Sequence, residues 1–235
     1  MENILIDRNF GHSRSRENFK KERRQINIGK AKKYDGNFPK RISKRIFDLG
    51  ISIFTLILII SWLFPIIAIL IKLDSKGPVF FKQLRHGRGN KLFYCYKFRS
   101  MVKNNEADIK QATQDDSRVT KVGKILRMSS LDELPQVFNV LLGDMSIVGP
   151  RPHSALMNIE FAKEIDNFMG RHQVKPGITG LAQSKGLRGE INNFQELYAR
   201  YRLDFFYVKK WCLIFDVIII IETAYSLITK NQKAY

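Results

Sequence analysis

IFDLGISIFTLILIISWLFPIIAILIKL, residues 46–73, is the stretch that decides the architecture. From Leu49 to Ile71 it runs 23 residues without a charge, long enough for a helix to reach across a bilayer. A buried soluble helix of that length and uniform apolarity is the competing reading. A cleaved leader is not expected, since the run starts well inside the chain and no small-residue cleavage site follows. Membrane entry is therefore predicted, with Pro65 as the break in the helix, because proline removes one i→i−4 bond and crowds the preceding turn.

The charges beside the run predict how it enters. Lys40–Asp48 carries four basic residues and one acidic, and Lys72–Lys91 carries six and one. Both flanks should prefer the cytoplasm, whereas a straight span would send one of them outside. The expectation is a re-entrant helix hairpin over residues 41–75, bent at Pro65, that dips into one leaflet and returns. Upstream, residues 1–45 hold 14 basic and 5 acidic side chains, half of the net charge of +18. Residues 1–40 lack hydrophobic periodicity and read as a basic, disordered tail suited to an anionic membrane surface. Two distant cysteines and four scattered histidines offer neither a disulfide framework nor a zinc site.

Residues 76–235 read as a cytoplasmic domain, making the whole an α+β, mostly helical, monotopic membrane protein. VFFKQL (79–84) and KLFYCYKF (91–98) flank HGRGN and predict a β-hairpin with Gly87 and Gly89 in its loop. Short helices are expected over 122–128 and 134–142, a strand at 146–149, an amphipathic helix over 155–171 and a turn-rich loop at 175–180. A final helix pair should run from about 193 to 228. Asp216 and Glu222 interrupt its second half, which favours a helix that lies in the interface or packs on the core over a second span.

SSLDELPQVFNVLLGDMSIVGPRP, residues 129–152, then raises a chemical question: why should so basic a chain set Asp132 and Glu133 side by side? One answer is structural. Ser130-Leu131-Asp132-Glu133 fits a capping box, with the Ser130 hydroxyl bonding the Glu133 amide. The other answer is phosphate chemistry. Lys97, Arg99, Arg127 and Arg151 lie near in sequence, and arginine forks match phosphate oxygens. A carboxylate can also hold Mg²⁺ or act as a nucleophile.

The same stretches carry a resemblance. KRIFDLG, GPVFFKQLRHGRG, YKFRSM, SRVTKVGKILRMSSLDELPQVFNVLLGDMSIVGPRP, VKPGITGLAQ and LDFFYVKKW are similar, in order, to the bacterial sugar transferases, the short monotopic polyprenol-phosphate phosphoglycosyl transferases. They cover roughly residues 41 to 216. The resemblance implies transfer of a sugar-1-phosphate from a UDP-sugar to undecaprenyl phosphate with release of UMP, the step that initiates polysaccharide or glycoconjugate synthesis at the bacterial inner membrane. It implies Asp132 as the nucleophile that forms a phosphosugar–aspartyl intermediate, Glu133 as its assistant, and Mg²⁺ near Asp132. Arg127 and Arg151 would bind phosphate, with Lys97 and Arg99 as further candidates, and Gly177 of KPGITG would let backbone approach a ligand. Asp204 of LDFFYV matches the family too, although an ion pair explains it equally well. The sugar stays open among glucose, galactose and N-acetylated or diamino sugars. Where some relatives carry Ser-Pro at the helix break, this chain has Phe64-Pro65. The competing reading is a non-catalytic membrane-tethered scaffold or polyanion binder, for which carboxylates among the arginines would gain nothing. No motif supports specific nucleic-acid binding.

Overall fold

A computed structural model describes residues 38–103, 113 and 116–229. The tail expected over residues 1–40 lies almost wholly outside them. The long apolar run forms one continuous helical rod: helix α1 (Phe38–Thr55), a π turn (Leu56–Ile60) and helix α2 (Ser61–Asp74). Its course through Pro65 is helical, with no loop separating two arms. The proline is accommodated upstream, where the π turn loosens the i→i−4 ladder. There Ser61 Oγ donates to Ile57 O at 2.6 Å, and Trp62 Nε1 donates to Leu58 O at 2.8 Å. In lipid, such side-chain donors would satisfy carbonyls that have no water to turn to. Arg41–Asp74 is the one helix among the described residues long and apolar enough to cross a membrane. One face of its middle is bare, with Phe54, Ile57, Trp62 and Ile69 exposed, whereas Ser52 and Ile60 are buried.

The two ends of the rod are not bare. At the first, Arg45 Nη2 donates to Leu141 O at 2.8 Å, capping the carbonyl end of helix α4 (Gln136–Leu142). Lys44 Nζ lies 2.6 Å from Asp216 Oδ2, and Asp48 Oδ1 accepts from Ser146 Oγ at 2.9 Å and Ile147 N at 3.1 Å. At the other end, Ile67 and Ile71 are buried with Phe98 and Leu126, and Asp74 accepts from Val122 N at 3.0 Å. Both ends are therefore fastened to one globular body.

The β-hairpin follows expectation. Strand β1 (Phe80–His86) pairs antiparallel with β2 (Leu92–Phe98), and the turn uses left-handed Gly89 and Asn90. Next come helix α3 (Lys121–Met128), a 3₁₀ turn (Leu131–Glu133) and α4. Strand β3 (Ser146–Val148) pairs parallel with β4 (Gly177–Thr179), so the expected KPGITG loop contains a strand. The amphipathic helix predicted over 155–171 is shorter. Helix α5 (Ala155–Glu164) ends before left-handed Asn167, and a 3₁₀ segment (Phe168–Gln173) follows. After α6 (Leu181–Ser184), the final pair is α7 (Phe194–Lys210), capped by Asn193, and α8 (Leu213–Ile228). Asp216 does more than interrupt α8. It is fully buried, and Tyr207 OH and Trp211 Nε1 donate to it at 2.7 and 3.0 Å beside Lys44. That network joins α1, α7 and α8.

Candidate active site

The capping box does not form. Ser130 is left-handed (φ 58°) with no side-chain cap bond, and the Glu133 amide reaches the Ser130 carbonyl instead. The acids sit on the 3₁₀ turn between α3 and α4, ahead of Pro135. That turn points the two carboxylates about 120° apart and leaves both free for other partners.

Glu133 takes two of them. Lys97 Nζ from β2 donates to Oε1 at 2.6 Å, and Arg151 grips the carboxylate with both guanidinium nitrogens at 2.6 and 3.1 Å. Burial opposes the Glu133 charge, but Arg151 and Lys97 outweigh it and hold the carboxyl well below its usual range. Asp132 differs: it is 7 % exposed, and Lys97 Nζ stands 3.7 Å away, beyond hydrogen-bond distance. Burial pushes its carboxyl up and Glu133 adds to the rise, against the pull of Lys97, Arg127 and Arg151. One acid is thus pinned and ionised, while the other is buried and more basic than an ordinary carboxylate.

Both line a cavity of about 690 Å³, in whose walls ten Lys and Arg residues face these two acids. Lys97, Arg99, Arg127 and Arg151 are brought together there, as expected. Arg99 is largely spoken for, because its Nη2 donates to Ile71 O, Ser75 O and Ser75 Oγ at the end of α2. Gly177 lies outside the cavity. Its close backbone approach is to Gly149, where a Cβ would collide, and so it fixes the Gly-Pro-Arg-Pro corner.

That corner has further supports the sequence reading missed. Arg85 donates to Pro152 O and Arg171 to Arg151 O, two buttresses behind the residue that grips Glu133. Arg171 is buried with Asp204 of α7 at 2.9 Å, which makes Asp204 an ion-pair partner. From the same helix, Arg200 donates to the carbonyls of Arg188, Gly189 and Glu190, a loop that brings Arg188 to the cavity. Arg85 sits in the hairpin motif, and Arg188 and Arg200 follow more than 30 residues after the Gly-Pro-Arg-Pro corner; only the tertiary path collects them at one cavity.

A family profile described as bacterial sugar transferase matches residues 39–230. The chain belongs to that family. Among its bacterial sugar transferase relatives, a UDP-glucose:undecaprenyl-phosphate glucose-1-phosphate transferase of Xanthomonas campestris pv. campestris is 52 % identical over 160 residues, 67 % of this chain and 33 % of the relative. A protein of the same name from Klebsiella pneumoniae is 47 % identical over 195 residues, 83 % of this chain and 42 % of its own length. A UDP-N-acetylgalactosamine-undecaprenyl-phosphate N-acetylgalactosaminephosphotransferase of Aeromonas hydrophila is 44 % identical, covering 77 % of this chain and 43 % of itself. The chain spans a third to about two fifths of the length of these sugar transferases.

Among the described residues no group of three or more His, Cys, Asp or Glu side chains forms a metal cage. Glu133 is saturated by its cations, so the Asp132 carboxylate is the available donor. One carboxylate completed by water and substrate phosphates is a set that suits Mg²⁺.

Asp204 gives the site a pH dependence. Burial raises its carboxyl to about 6, with Arg171 and Arg200 pulling the other way. As pH falls through 6 the acid takes up a proton, Arg171 loses its counter-charge, and the Arg151 carbonyl loses its support. The contribution to stability has the opposite sign: with the folded pKa above the unfolded value of 3.8, it is fullest below 3.8 and lost as pH rises through 6. An acid limb near pH 6 is therefore expected in kcat/KM. Asp204→Asn should lower the plateau and remove that limb.

Proposed function

We propose that the protein is a phosphoglycosyl transferase that moves a sugar-1-phosphate from a UDP-sugar to undecaprenyl phosphate through an aspartyl intermediate. The observation that carries this reading is the unequal acid pair, Asp132 with only a longer ionic contact to Lys97 and Glu133 locked by hydrogen bonds, in a basic cavity beside a membrane helix. The names of the relatives supply the substrates.

The Asp132 carboxylate attacks the β-phosphorus of the donor. The bond from that phosphorus to the bridging oxygen breaks, and UMP leaves with the electron pair. An oxygen of the lipid phosphate then attacks the same phosphorus, the Asp132–phosphorus bond breaks, and the carboxylate is regenerated. The raised basicity of Asp132 favours attack once it is ionised. Arg127 and Arg151 would neutralise equatorial phosphate oxygens, with Lys97 poised between the acids. Mg²⁺, held by Asp132 together with the substrate phosphates, would supply further charge neutralisation. Glu133 serves as the anchor that orients Lys97 and Arg151. A carboxyl held so far into its ionised form is a weak base, and a lipid phosphate already carries an ionised oxygen at neutral pH.

The test is UMP release. With a panel of UDP-sugars and no lipid, the preferred donor should release about one UMP per enzyme, and intact mass should show a phosphosugar adduct that disappears on adding undecaprenyl phosphate. UMP that appears only with both substrates present would replace the covalent route with direct transfer.

The re-entrant course and the cytoplasmic placement belong to the same proposal. A straight span would require the globular body, fastened to Lys44–Asp48 at one end and Ile67–Asp74 at the other, to straddle the bilayer with its ion pairs. A shallow entry bent at the π turn and Pro65 avoids this. Exposed Ile214, Ile221 and Tyr225 suit α8 to lying in the interface. Lys44 is committed to Asp216, so exposed Ile42 is the better labelling position. Ile42→Cys and Lys76→Cys, each in a background lacking Cys95 and Cys212, should both be shielded from an impermeant thiol reagent in intact cells. Labelling at one position alone would establish a true span.

A further inference from the structure

The cavity has an apolar side that the phosphate chemistry does not use. Phe98 follows Lys97 directly, and its ring is wholly buried. Phe80, its cross-strand partner, stacks on it with centroids 5.6 Å apart and planes at 15°. Both rings meet Phe64, the residue before Pro65 in the membrane helix, at 4.6 Å from Phe98 and 6.2 Å from Phe80. Phe138 of α4 closes the group behind Phe64 at 5.7 Å. Three of these rings are packed away or partly covered, whereas Phe80 is 41 % exposed and, with Pro78, lines the cavity. An aromatic wall thus runs from the membrane helix into the cavity that Lys97, Asp132 and Glu133 also line.

We propose that Phe80, backed by Phe64 and Phe98, is the binding surface for the first isoprene units of the polyprenyl phosphate acceptor. The inference rests on the phosphoglycosyl transfer reading and assigns one side of that same site. The acceptor is an anion on an apolar chain anchored in lipid, so its path must join the bilayer to the phosphate-binding cations. The Phe64–Phe80–Phe98 wall makes that join. Only the uracil of a nucleotide-sugar could stack on such a ring, and Phe80 stands on the side of the cavity that meets the membrane helix through Phe64. A chain of isoprene units gains apolar burial and contact with ring faces. A purely structural cluster would have been better served by covering Phe80 as Phe98 is covered.

Donor and acceptor steps are separable, which makes the proposal testable. Phe80→Asn and Phe80→Leu are compared with wild type for UMP released without lipid, then for KM toward undecaprenyl phosphate at saturating UDP-sugar. The one-per-enzyme UMP release serves as the control for a folded donor site. Phe80→Asn should raise the lipid KM about tenfold with little change in the KM for UDP-sugar, and Phe80→Leu, which restores an apolar surface, should recover most of that loss. An unchanged lipid KM in Phe80→Asn with donor release intact would overturn the assignment, as would an equal rise in both KM values in the two variants. Absence of lipid-independent UMP release from the wild type would instead strike the covalent reading beneath it.

Discussion

Asp132→Asn is expected to abolish UMP release, by a factor of at least about 10⁴, while leaving the fold intact. The amide keeps the shape of the side chain but has no oxygen that can attack phosphorus. A helix-capping role predicts a different result, a stability loss of about 0.5–2 kcal/mol with turnover retained. The geometry removes that alternative's basis: the acid lies in a 3₁₀ turn, and the adjacent Ser130 makes no side-chain cap. Burial already disfavours the Asp132 charge, so a neutral side chain of the same size should leave the melting temperature unchanged or slightly higher. Lipid-independent UMP release and thermal melting, measured on the same preparation, separate the two roles. A folded Asp132→Asn protein with near-normal turnover would end the covalent mechanism.

Features that announce themselves locally were readable without coordinates. The uncharged run from Leu49 to Ile71 needs only its length, and the hairpin needs only its β-formers around Gly87 and Gly89. Asp132, Glu133, Lys97 and Arg151 were findable because they sit in compact motifs. What escaped depends on distant pairing. Nothing local distinguishes Arg171 from the other basic residues until Asp204, 33 positions later, is folded against it. Asp216 looks like a flaw in an apolar helix until Lys44, Tyr207 and Trp211 converge on it. The Ser130 capping box failed for a related reason. Its pattern is local, but Lys97 and Arg151 compete for Glu133 with two charge-assisted contacts, stronger than one backbone bond. Gly177 shows the same limit: the expected approach is to a ligand, whereas its close neighbour is the Gly149 backbone, a pairing that KPGITG alone does not reveal.

Glu133→Gln should have the second-largest effect, a fall in kcat of about 10²–10³-fold, and the step that slows will identify the role of this acid. The substitution preserves size but leaves Lys97 and Arg151 without their counter-charge. The nearest remaining anion is Asp132, already 3.7 Å from Lys97 Nζ. Freed from Glu133, Lys97 should close that gap, lowering the pKa of Asp132 and tightening the ion pair on the proposed nucleophile. Arg151, side chain 31 % exposed, would also be released from its bidentate hold, so the stability loss should be modest, about 1–2 kcal/mol after allowance for solvent. These changes precede any contact with lipid. The rate of UMP release in the absence of acceptor should therefore fall. A general-base role predicts otherwise: normal donor release, a slow acceptor step alone, and recovery as pH rises. Rapid-quench measurement of the two half-reactions decides between them. Because Glu133 is pinned by two cations and its carboxyl is held far below the range of a working base, the first pattern is the one the site is built to give.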